Sequence, residues 1–402
     1  MPACTCQHRS RSAAELTARK RIERQTGETT IFHLTFAVPA LLVLARWLWP
    51  LTLPLRAKLG LAALLLLASQ YHLWNRLSSG SVFAPEFPRA VVIMFNWAFG
   101  AILLLAALQL ALDLLTLAAV LVKRGRVRVD DRMRYGLAIA AMFLAGFGVW
   151  NAVRIPAVKD VEIAVQGLPP QFDGYRLLQL TDLHISRLFP AVWTSHIVDR
   201  ANASDVDLIV VTGDFIDGTV SMRRADVEPL RALRAADGVY AIPGNHEYYF
   251  GYKAWMGRLA RLGFRMLPNQ HVVLSRADAQ LVLAGVTDAA AAQVGEAGPD
   301  LSAALAGAPT DAPILLLDHQ PKGARRAAEK GVDVQLSGHT HGGMISGLDQ
   351  LLARPNGGFV SGKYNVGGMT LYVSNGTALW PGFALRLGRP SELTRITLRA
   401  RS

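Results

Sequence analysis

Eight side chains of the kinds that bind metal ions follow short apolar runs in the second half of the chain. In chain order they are Asp182, His184, Asp214, Asn245, His246, His319, His339 and His341. Neutral imidazoles suit ions such as Zn, Fe and Ni, and a carboxylate can bridge two cations. Two cations held ~3.5–4 Å apart are a common arrangement for phosphoryl-transfer chemistry. These residue types therefore predict a two-metal site that acts on phosphate esters.

The elements that must position these side chains have the pattern of an α/β domain. Short runs with the length and composition of β-strands cover residues 176–180, 208–211, 238–242, 281–284, 314–317, 334–336, 370–373 and 393–398. Helical, Ala/Arg-rich stretches alternate with them, which is typical of a mostly buried sheet covered by helices. Because ligands bind at the carboxyl ends of strands in such sheets, the loops would gather the eight side chains at one edge.

The spacing inside two of the loops predicts a shared direction for their side chains. Asp182 and His184 are two residues apart, and His339 and His341 repeat this spacing. In an extended segment, residues two apart point to the same side. Each pair is therefore expected to present two ligands to one metal.

Other residues beside the motifs are expected to support the site. Asp217 is expected to cap or hydrogen-bond its own loop, and Glu247 to act without binding a metal. Asp318 is expected to orient His319 through its second ring nitrogen. Four aromatic residues that follow His246 could form an apolar rim for a lipid tail or pack against the sheet. They are Tyr248, Tyr249, Phe250 and Tyr252.

Read in order, the five motifs are similar to those of a known family. They are DLH at 182–184, GDFID at 213–217, GNHE at 244–247, DHQP at 318–321 and GHTHGG at 338–343. The set resembles the calcineurin-like metallophosphoesterases, and most closely their membrane-anchored branch of YkuE-type, YaeI-type and transmembrane metallophosphoesterase-domain proteins. The resemblance covers about residues 173–402.

This resemblance implies a fold, a cofactor and a role for each motif residue. The fold would be a four-layer αββα sandwich, and the cofactors two divalent ions from among Mn, Zn, Fe, Ni and Co that activate a bridging water. The implied ligands of the first metal are Asp182, His184 and His341. Those of the second are Asn245, His319 and His339. Asp214 would bridge the two ions, and His246 would act as general acid or stabilise the transition state.

The first 153 residues differ in composition from the rest. The whole chain has 402 residues, of which 51% are hydrophobic and 18% charged, and this is apolar for a soluble enzyme. Residues 1–153 hold 17 Lys/Arg and 7 Asp/Glu, a net charge of +10, whereas residues 154–402 hold 25 and 23, a net charge of +2. Because the basic excess lies outside the α/β region, it argues against nucleic acid as a partner and for basic loops that flank membrane spans.

Four apolar segments predict transmembrane helices. They cover residues 33–53, 59–74, 90–122 and 135–153. A helix needs about 20 apolar residues to cross the bilayer, so the second segment is short and the third is long. Asp113 lies in the third segment and is expected near the helix end or facing the bundle interior.

The predicted organisation has four parts. They are a polar basic tail (1–30), a transmembrane region of about four helices (31–153), a linker with the first strand (154–172) and the metallophosphoesterase domain (173–402). The positive charges around the spans are nearly balanced between the two sides. The basic loop 123–134 and the resemblance to surface-facing relatives favour a multi-pass bacterial inner-membrane protein with an extracytoplasmic catalytic domain.

The predicted function is the hydrolysis of a phosphodiester or phosphomonoester at the bilayer. A phospholipid or a lipid-linked pyrophosphate is the expected substrate, because the site is anchored beside lipid. Two alternatives stay open: a phosphoesterase for soluble nucleotides, and a non-catalytic membrane sensor with a vestigial domain. The lipid bilayer is the expected partner, and neither nucleic acid nor an obligate protein partner is expected.

Overall fold

A computed structural model describes residues 33–35 and 37–401, which fall into two compact units. The helical unit comprises Met1–Glu86 and Trp97–Ala145. The catalytic unit comprises Phe87–Asn96 and Gly146–Ser402, and it contains every strand of the described residues. The predicted basic tail, residues 1–30, lies outside the described part of the chain.

Apolar helices dominate the described residues before 154. Their bounds are His33–Leu48, which ends in the π-helical segment Val43–Leu48, then Leu55–Ser69, Tyr71–Ser79, Arg89–Lys123 and Asp131–Val153. Two of them, Arg89–Lys123 and Asp131–Val153, are long and apolar enough to cross a membrane. Asp130 Oδ1 accepts a hydrogen bond from Arg132 N at 3.0 Å and so caps the start of the second.

The other two predicted spans form shorter helices. The helix that covers most of residues 59–74 has 15 residues, begins after Pro54 and ends at Ser69, because the chain leaves the helical conformation at Gln70. The next helix, Tyr71–Ser79, has 9 residues and buries polar side chains. The described residues therefore support two spans where the sequence pattern predicted about four.

Asp113 has a partner on another helix of the helical unit. Arg46 Nε lies 2.9 Å from Asp113 Oδ2, and Gln109 Nε2 donates to Asp113 Oδ1 at 2.9 Å. The carboxylate therefore faces a neighbouring helix, which agrees with the interior-facing interpretation of this residue.

Twelve strands of the catalytic unit form two mixed six-stranded sheets. The first sheet has the order β1 (Ala157–Gln166), β12 (Glu392–Arg401), β2 (Arg176–Leu180), β3 (Leu208–Val211), β4 (Val239–Ala241) and β5 (Arg265–Met266). The second has the order β10 (Gly362–Val366), β11 (Met369–Val373), β9 (Val334–Ser337), β8 (Ile314–Leu317), β7 (Ala279–Gly285) and β6 (Gln270–Arg276). Strands β2 to β5 are parallel, and so are β7, β8, β9 and β11.

The two sheets pack face to face with helices on both outer faces. Side chains such as Leu177, Leu208 and Leu315 fill the core between the sheets. The outer face of the first sheet packs against the helices Ala191–Asn202 and Tyr252–Arg261. The outer face of the second packs against Leu301–Ala304 and Ala324–Glu329. This α/β sandwich confirms the predicted αββα layers, and buried runs such as LIVV in β3 are continuous because both faces are covered.

Short helices complete the catalytic unit. Beyond the four that cover the sheets, they are Val220–Arg223, Asn245–Tyr249, Ala291–Val294 and Asp349–Ala353. The helix Asn245–Tyr249 follows β4 directly and therefore begins at a predicted site residue.

Candidate metal centre

Loops from both sheets meet at one edge of the sandwich. The amide of His339, after β9, donates to both carboxylate oxygens of Asp182, after β2, at 3.1 Å. The imidazole Nδ1 of His319, after β8, lies 2.8 Å from the carbonyl oxygen of Thr212, after β3. The carboxyl ends of these strands therefore converge, and all eight predicted site residues lie in this region.

The first ligand group consists of Asp182, His184 and His341. His184 Nε2 lies 4.0 Å and His341 Nε2 lies 3.8 Å from Asp182 Oδ1, and all three side chains are buried. Ligand atoms around one ion bound at about 2.0–2.2 Å are separated by distances of this order. The buried His184 Nε2 has no hydrogen-bond partner among the described residues. A cation would satisfy this atom, so the donor set fits a metal.

The second ligand group consists of Asn245, His319 and His339. Asn245 Oδ1 lies 3.0 Å from His319 Nε2 and 2.9 Å from His339 Nδ1. Asp214 lies between the groups, because its Oδ2 is 3.2 Å from His319 Nε2 and 3.9 Å from His184 Nε2. One carboxylate oxygen thus faces ligands of both groups, which is the position expected of a bridging ligand.

The charges in the centre favour cation binding. Burial and the nearby His319 lower the pKa of His339 to about 3, and burial and His184 lower the pKa of His341 well below its usual value. Both imidazoles are therefore neutral and can offer a lone pair. Burial opposes ionisation of Asp214, but His319, His246 and His184 together outweigh it and hold the Asp214 pKa well below the usual range.

Asp217 contacts two site histidines, so the prediction that it bonds within its own loop is wrong. Its Oδ2 lies 3.1 Å from His184 Nδ1, and its Oδ1 lies 2.5 Å from His246 Nδ1. These contacts hold the proton at Nδ1 of each ring and direct Nε2 toward Asp214, 3.9 Å away in both cases. Asp217, His184 and His246 could also hold an ion. We assign Asp217 to orientation because it occupies the Nδ1 atoms, which leaves each Nε2 for the centre.

The carboxylates around His246 set its protonation. Burial alone would lower the pKa of this imidazole, but Asp214 and Asp217 outweigh burial and raise it to about 9. Tyr249 lies beside the ring, with centroids 5.3 Å apart, and is 43% exposed at the rim of the site. Tyr248 instead stacks on Tyr252 at 4.4 Å. Of the four aromatic residues, Tyr249 is thus placed to meet a ligand, whereas Tyr248 packs.

Glu247 supports the site from outside, as predicted. Its carboxylate accepts hydrogen bonds from the amides of Gly244 at 2.7 Å, Phe215 at 2.8 Å and Asp214 at 3.1 Å. The prediction for Asp318 is wrong. The carbonyl of Thr212 contacts His319 Nδ1, whereas the Asp318 carboxyl group accepts from the backbone of Gln320 and, at 3.5 Å, from Gln335 Nε2.

The loop backbones are tightly turned at the site. The φ angles of Asp182, His184, Asp214, His339 and His341 are 52°, 41°, 54°, 69° and 50°. The extended geometry assumed for the two paired motifs is therefore wrong, and the side chains of each pair converge because the chain turns sharply. Each left-handed residue costs roughly 1–2 kcal/mol, so the surrounding contacts must stabilise the loops.

Two glycines allow the loops after β3 and β4 to touch. A Cβ atom on Gly244 would lie 2.2 Å from Asp214 Oδ1, and one on Gly213 would lie 2.5 Å from Gly244 N. No side chain fits at either position while the loops stay in place.

One buried residue of the site region was not predicted at all. Arg386 donates from Nη1 to the carbonyl oxygen of His341 at 3.0 Å, and its side chain is fully buried. It lies in the loop between β11 and β12, far from any motif, in an otherwise apolar stretch. The sequence offers no signal that would single it out.

Comparisons with known proteins agree with this geometry. Residues 175–343 match the sequence model of the calcineurin-like phosphoesterase family. A protein of Danio rerio named transmembrane protein with metallophosphoesterase domain is 36% identical over 270 residues, which cover 65% of this chain and 61% of the relative. An uncharacterized metallophosphoesterase of Helicobacter pylori (strain J99) is 32% identical, covering 66% of this chain and 70% of the relative.

A third relative matches along most of its length. The uncharacterized metallophosphoesterase YkuE of Bacillus subtilis is 31% identical over 264 residues, which cover 63% of this chain and 90% of the relative. The matched part is thus under two thirds of the Danio rerio protein but nearly all of the Bacillus subtilis protein. The clustered histidines and carboxylates are the metal-binding chemistry that such a protein needs. This chain belongs to the calcineurin-like phosphoesterase family, whose members are metal-dependent hydrolases of phosphate esters.

Proposed function

We propose that this chain is a membrane-anchored phosphoesterase that uses two divalent cations to hydrolyse a phosphodiester or phosphomonoester at the bilayer. The observation that carries the proposal is the pair of adjacent ligand groups that share Asp214. Three imidazole, carboxylate or amide side chains lie on each side of one carboxylate oxygen, and all of them are buried except the half-buried His339. A structural ion would need only one of these groups.

Each ligand group would bind one of the two ions. The first ion would be held by Asp182, His184 and His341. The second would be held by Asn245, His319 and His339, with Asp214 shared. Bound ions such as Mn, Zn, Fe, Ni or Co would stabilise negative charge on the phosphate oxygens and lower the pKa of a water molecule. The lowered pKa values of His339 and His341, which leave their imidazoles neutral, support these roles.

His246 serves as the proton donor in this proposal. Asp217 holds its Nδ1, and the raised pKa of about 9 keeps the ring protonated at neutral pH. Its Nε2 faces the centre, 3.9 Å from Asp214 Oδ2, so a proton at this atom can reach the leaving oxygen of the ester. Protonation removes the alkoxide character of the leaving group and so favours bond cleavage.

The two long apolar helices support a site at the membrane surface. One end of each helix belongs to the catalytic unit. The start of the first helix lies in Phe87–Asn96, and the end of the second lies in Gly146–Ser402. We call these the domain-side ends. A substrate embedded in the bilayer, such as a phospholipid or a lipid-linked pyrophosphate, would have its phosphate near this level. We therefore propose the lipid bilayer as the partner of this chain and a lipid phosphate ester as its substrate.

The charge of the helix connection supports an extracytoplasmic catalytic domain. With two spans, the loop between Lys123 and Asp131 lies on the opposite side of the membrane from the domain. Residues 123–134 contain six Lys/Arg, and basic loops are retained in the cytoplasm. A reporter enzyme fused after Ser402 tests this topology, because the proposal expects activity only from reporters that work outside the cytoplasm.

The activity is tested with chromogenic phosphate esters. The purified full chain, supplied with Mn²⁺, is expected to hydrolyse a bis(p-nitrophenyl) or a mono(p-nitrophenyl) phosphate. Asp214→Asn is expected to lower kcat on the order of 10³-fold, because lost transition-state interactions of this kind cost roughly 10²–10³ each. The exposed substitution Asp311→Asn is the matched control. Equal activity of wild type and Asp214→Asn would refute the site.

Competition experiments separate the lipid from the soluble substrate. Mixed micelles of an anionic phospholipid are expected to compete with the chromogenic ester, whereas a nucleoside monophosphate at the same concentration is not. Competition by the nucleotide alone would favour the alternative of a soluble substrate. A wild-type protein that binds metals but hydrolyses neither class would favour the vestigial sensor.

A further inference from the structure

The loop between β11 and β12, residues 374–391, lies against the first ligand group. The amide of Ala378 donates to the backbone carbonyl of Asp182 at 2.9 Å, and the amide of Thr377 donates to that of Thr181 at 2.8 Å. Farther along the loop, Arg386 Nη1 reaches the carbonyl of His341. We call this segment the β11–β12 loop. It fixes the backbone of Asp182 and His341, which are two of the three residues in the first ligand group.

The side chain of Arg386 connects the β11–β12 loop to the loop that carries His341. Besides the carbonyl of His341, its guanidinium donates to those of Arg389 at 3.0 Å, Asn375 at 2.6 Å and Ala378 at 2.9 Å. The side chain is fully buried, and it has no ion pair among the described residues. A buried guanidinium is costly unless its donors are satisfied, and here four carbonyls from separated positions must stay in place to accept its hydrogen bonds.

The other side of the β11–β12 loop contacts the start of the long apolar helix Arg89–Lys123. Asn96, which is 2% exposed, donates from Nδ2 to the carbonyl of Pro381 at 2.8 Å. Its Oδ1 accepts from the amide of Ala384 at 2.6 Å. One helix side chain thus satisfies a backbone donor and a backbone acceptor of the loop, within the catalytic unit.

The end of the second apolar helix, Asp131–Val153, contacts the same loop through its backbone. The amide of Arg386 donates to the carbonyl of Gly148 at 2.9 Å. A Cβ atom on Gly148 would lie 2.8 Å from Leu385 Cδ1 and 3.3 Å from Leu387 Cδ2. Glycine therefore permits the loop to pack directly on the helix.

The helix ends also join the core of the catalytic unit. Val92 and Ala152 are fully buried in the same hydrophobic cluster as residues of β2 and β3. Arg89 Nε donates to the carbonyl of Leu188 at 2.9 Å, in the loop that follows His184. The domain-side ends of both helices therefore pack as parts of the catalytic fold.

We propose that the domain-side ends of the two apolar helices are positioning elements of the metal centre, acting through the β11–β12 loop. Asn96 and Arg386 are the positioning residues, because they link the helix ends to the backbone of Asp182 and His341. Two ligands of the second group, Asn245 and His319, lie on the loops after β4 and β8, whereas His339 shares the loop after β9 with His341. This inference rests on the proposed function, since it assumes that the first ligand group binds a metal.

The test compares metal binding at the two sites in the full-length protein in detergent. Co²⁺ is titrated into the metal-free protein, and its visible absorption bands report on the ligand geometry. Asn96→Ala is expected to weaken one of the two binding events about 10-fold or more and to change its spectrum. The other binding event is expected to stay unchanged. Asn75→Ala removes a comparable buried amide, which donates to Val82 O at 3.3 Å in the helical unit, and is expected to match wild type.

A second pair of variants keeps the test decisive if Asn96→Ala does not fold. Gly148→Ala adds one methyl group against Leu385, whereas Gly136→Ala adds one in the same helix where nothing lies within 4 Å. Gly148→Ala is expected to weaken the same single binding event, and Gly136→Ala to have no effect. Wild-type binding in both Asn96→Ala and Gly148→Ala, or an equal loss at both sites, would overturn the inference. A wild-type protein that binds no Co²⁺ would instead overturn the proposed function.

Discussion

The two ligand groups of the metal centre are supported by different parts of the molecule. The second group is held from within the sandwich: the carbonyl of Thr212 orients His319, and Asn245 contacts both of its partner imidazoles. The first group depends on side chains and loops from farther away, because Asp217 orients His184 and Arg386 holds the backbone of His341. We therefore propose that the second ligand group is held within the sandwich and that the first is coupled to the domain-side ends of the two apolar helices.

This difference bears on the proposed activity at a bilayer. If the helix ends shift, the ligand geometry of the first group changes with them. The ligand geometry of the second group, which is held within the sandwich, does not.

The largest effect on turnover without loss of metal is expected at His246. His246→Gln removes the proton donor and leaves both ligand groups in place, so kcat is expected to fall about 10²–10⁴-fold. The loss should be smaller for a p-nitrophenyl ester than for an alkyl ester, because p-nitrophenolate leaves without a proton. Steady-state kinetics with both esters measures this difference. The exposed His196→Gln is the control, and an equal loss with both esters would contradict the general-acid role.

A smaller effect, on one ligand group only, is expected at Asp217. Asp217→Asn removes the carboxylate that fixes the rings of His184 and His246, and outer contacts of this kind are worth about 10–100-fold. We expect activity to fall by this factor and metal affinity to fall at the first group alone. Isothermal titration with Mn²⁺ and kinetics measure the two quantities. Asp205→Asn breaks a surface ion pair with Arg176 and serves as control; similar behaviour of both variants would contradict the orienting role.

The smallest effect is expected on stability. Val92→Ala removes a fully buried side chain from the core that joins the helix start to the sheet. Loss of two carbon atoms from a packed core costs about 2 kcal/mol of unfolding free energy, so the midpoint of thermal unfolding should drop. Val122→Ala lies in the same helix, where the side chain is 83% exposed, and should leave the midpoint unchanged. No difference between the two variants would mean that Val92 is not part of the catalytic core.

The sequence predicted the features that depend on local residue types. Runs such as LIVV in β3 are continuous because they are buried on both faces, and metal-binding side chains follow them at the strand ends. The sequence pattern did not predict the strands that are very short or only partly buried. Strand β5 has two residues, and β6 and β10 alternate between exposed and half-buried positions.

Features that depend on the folded loops could not be read from the chain. The left-handed backbone of Asp182 and His339 carries no signal in a non-glycine residue. The partners of Asp217 and the role of Arg386 depend on residues 29 to 45 positions away. The second apolar segment looked like one helix, but the polar pair Ser69 and Gln70 marks the point where it divides.

The number of metal ions held per chain tests the two-cation centre most directly. Elemental analysis of the full-length protein, after reconstitution with Mn²⁺ and gel filtration, is expected to find two ions per wild-type chain. Asp214→Asn, which removes the oxygen that faces both ligand groups, is expected to hold fewer than two. A wild-type chain without metal, or an Asp214→Asn chain that retains two ions, would contradict the shared-carboxylate centre.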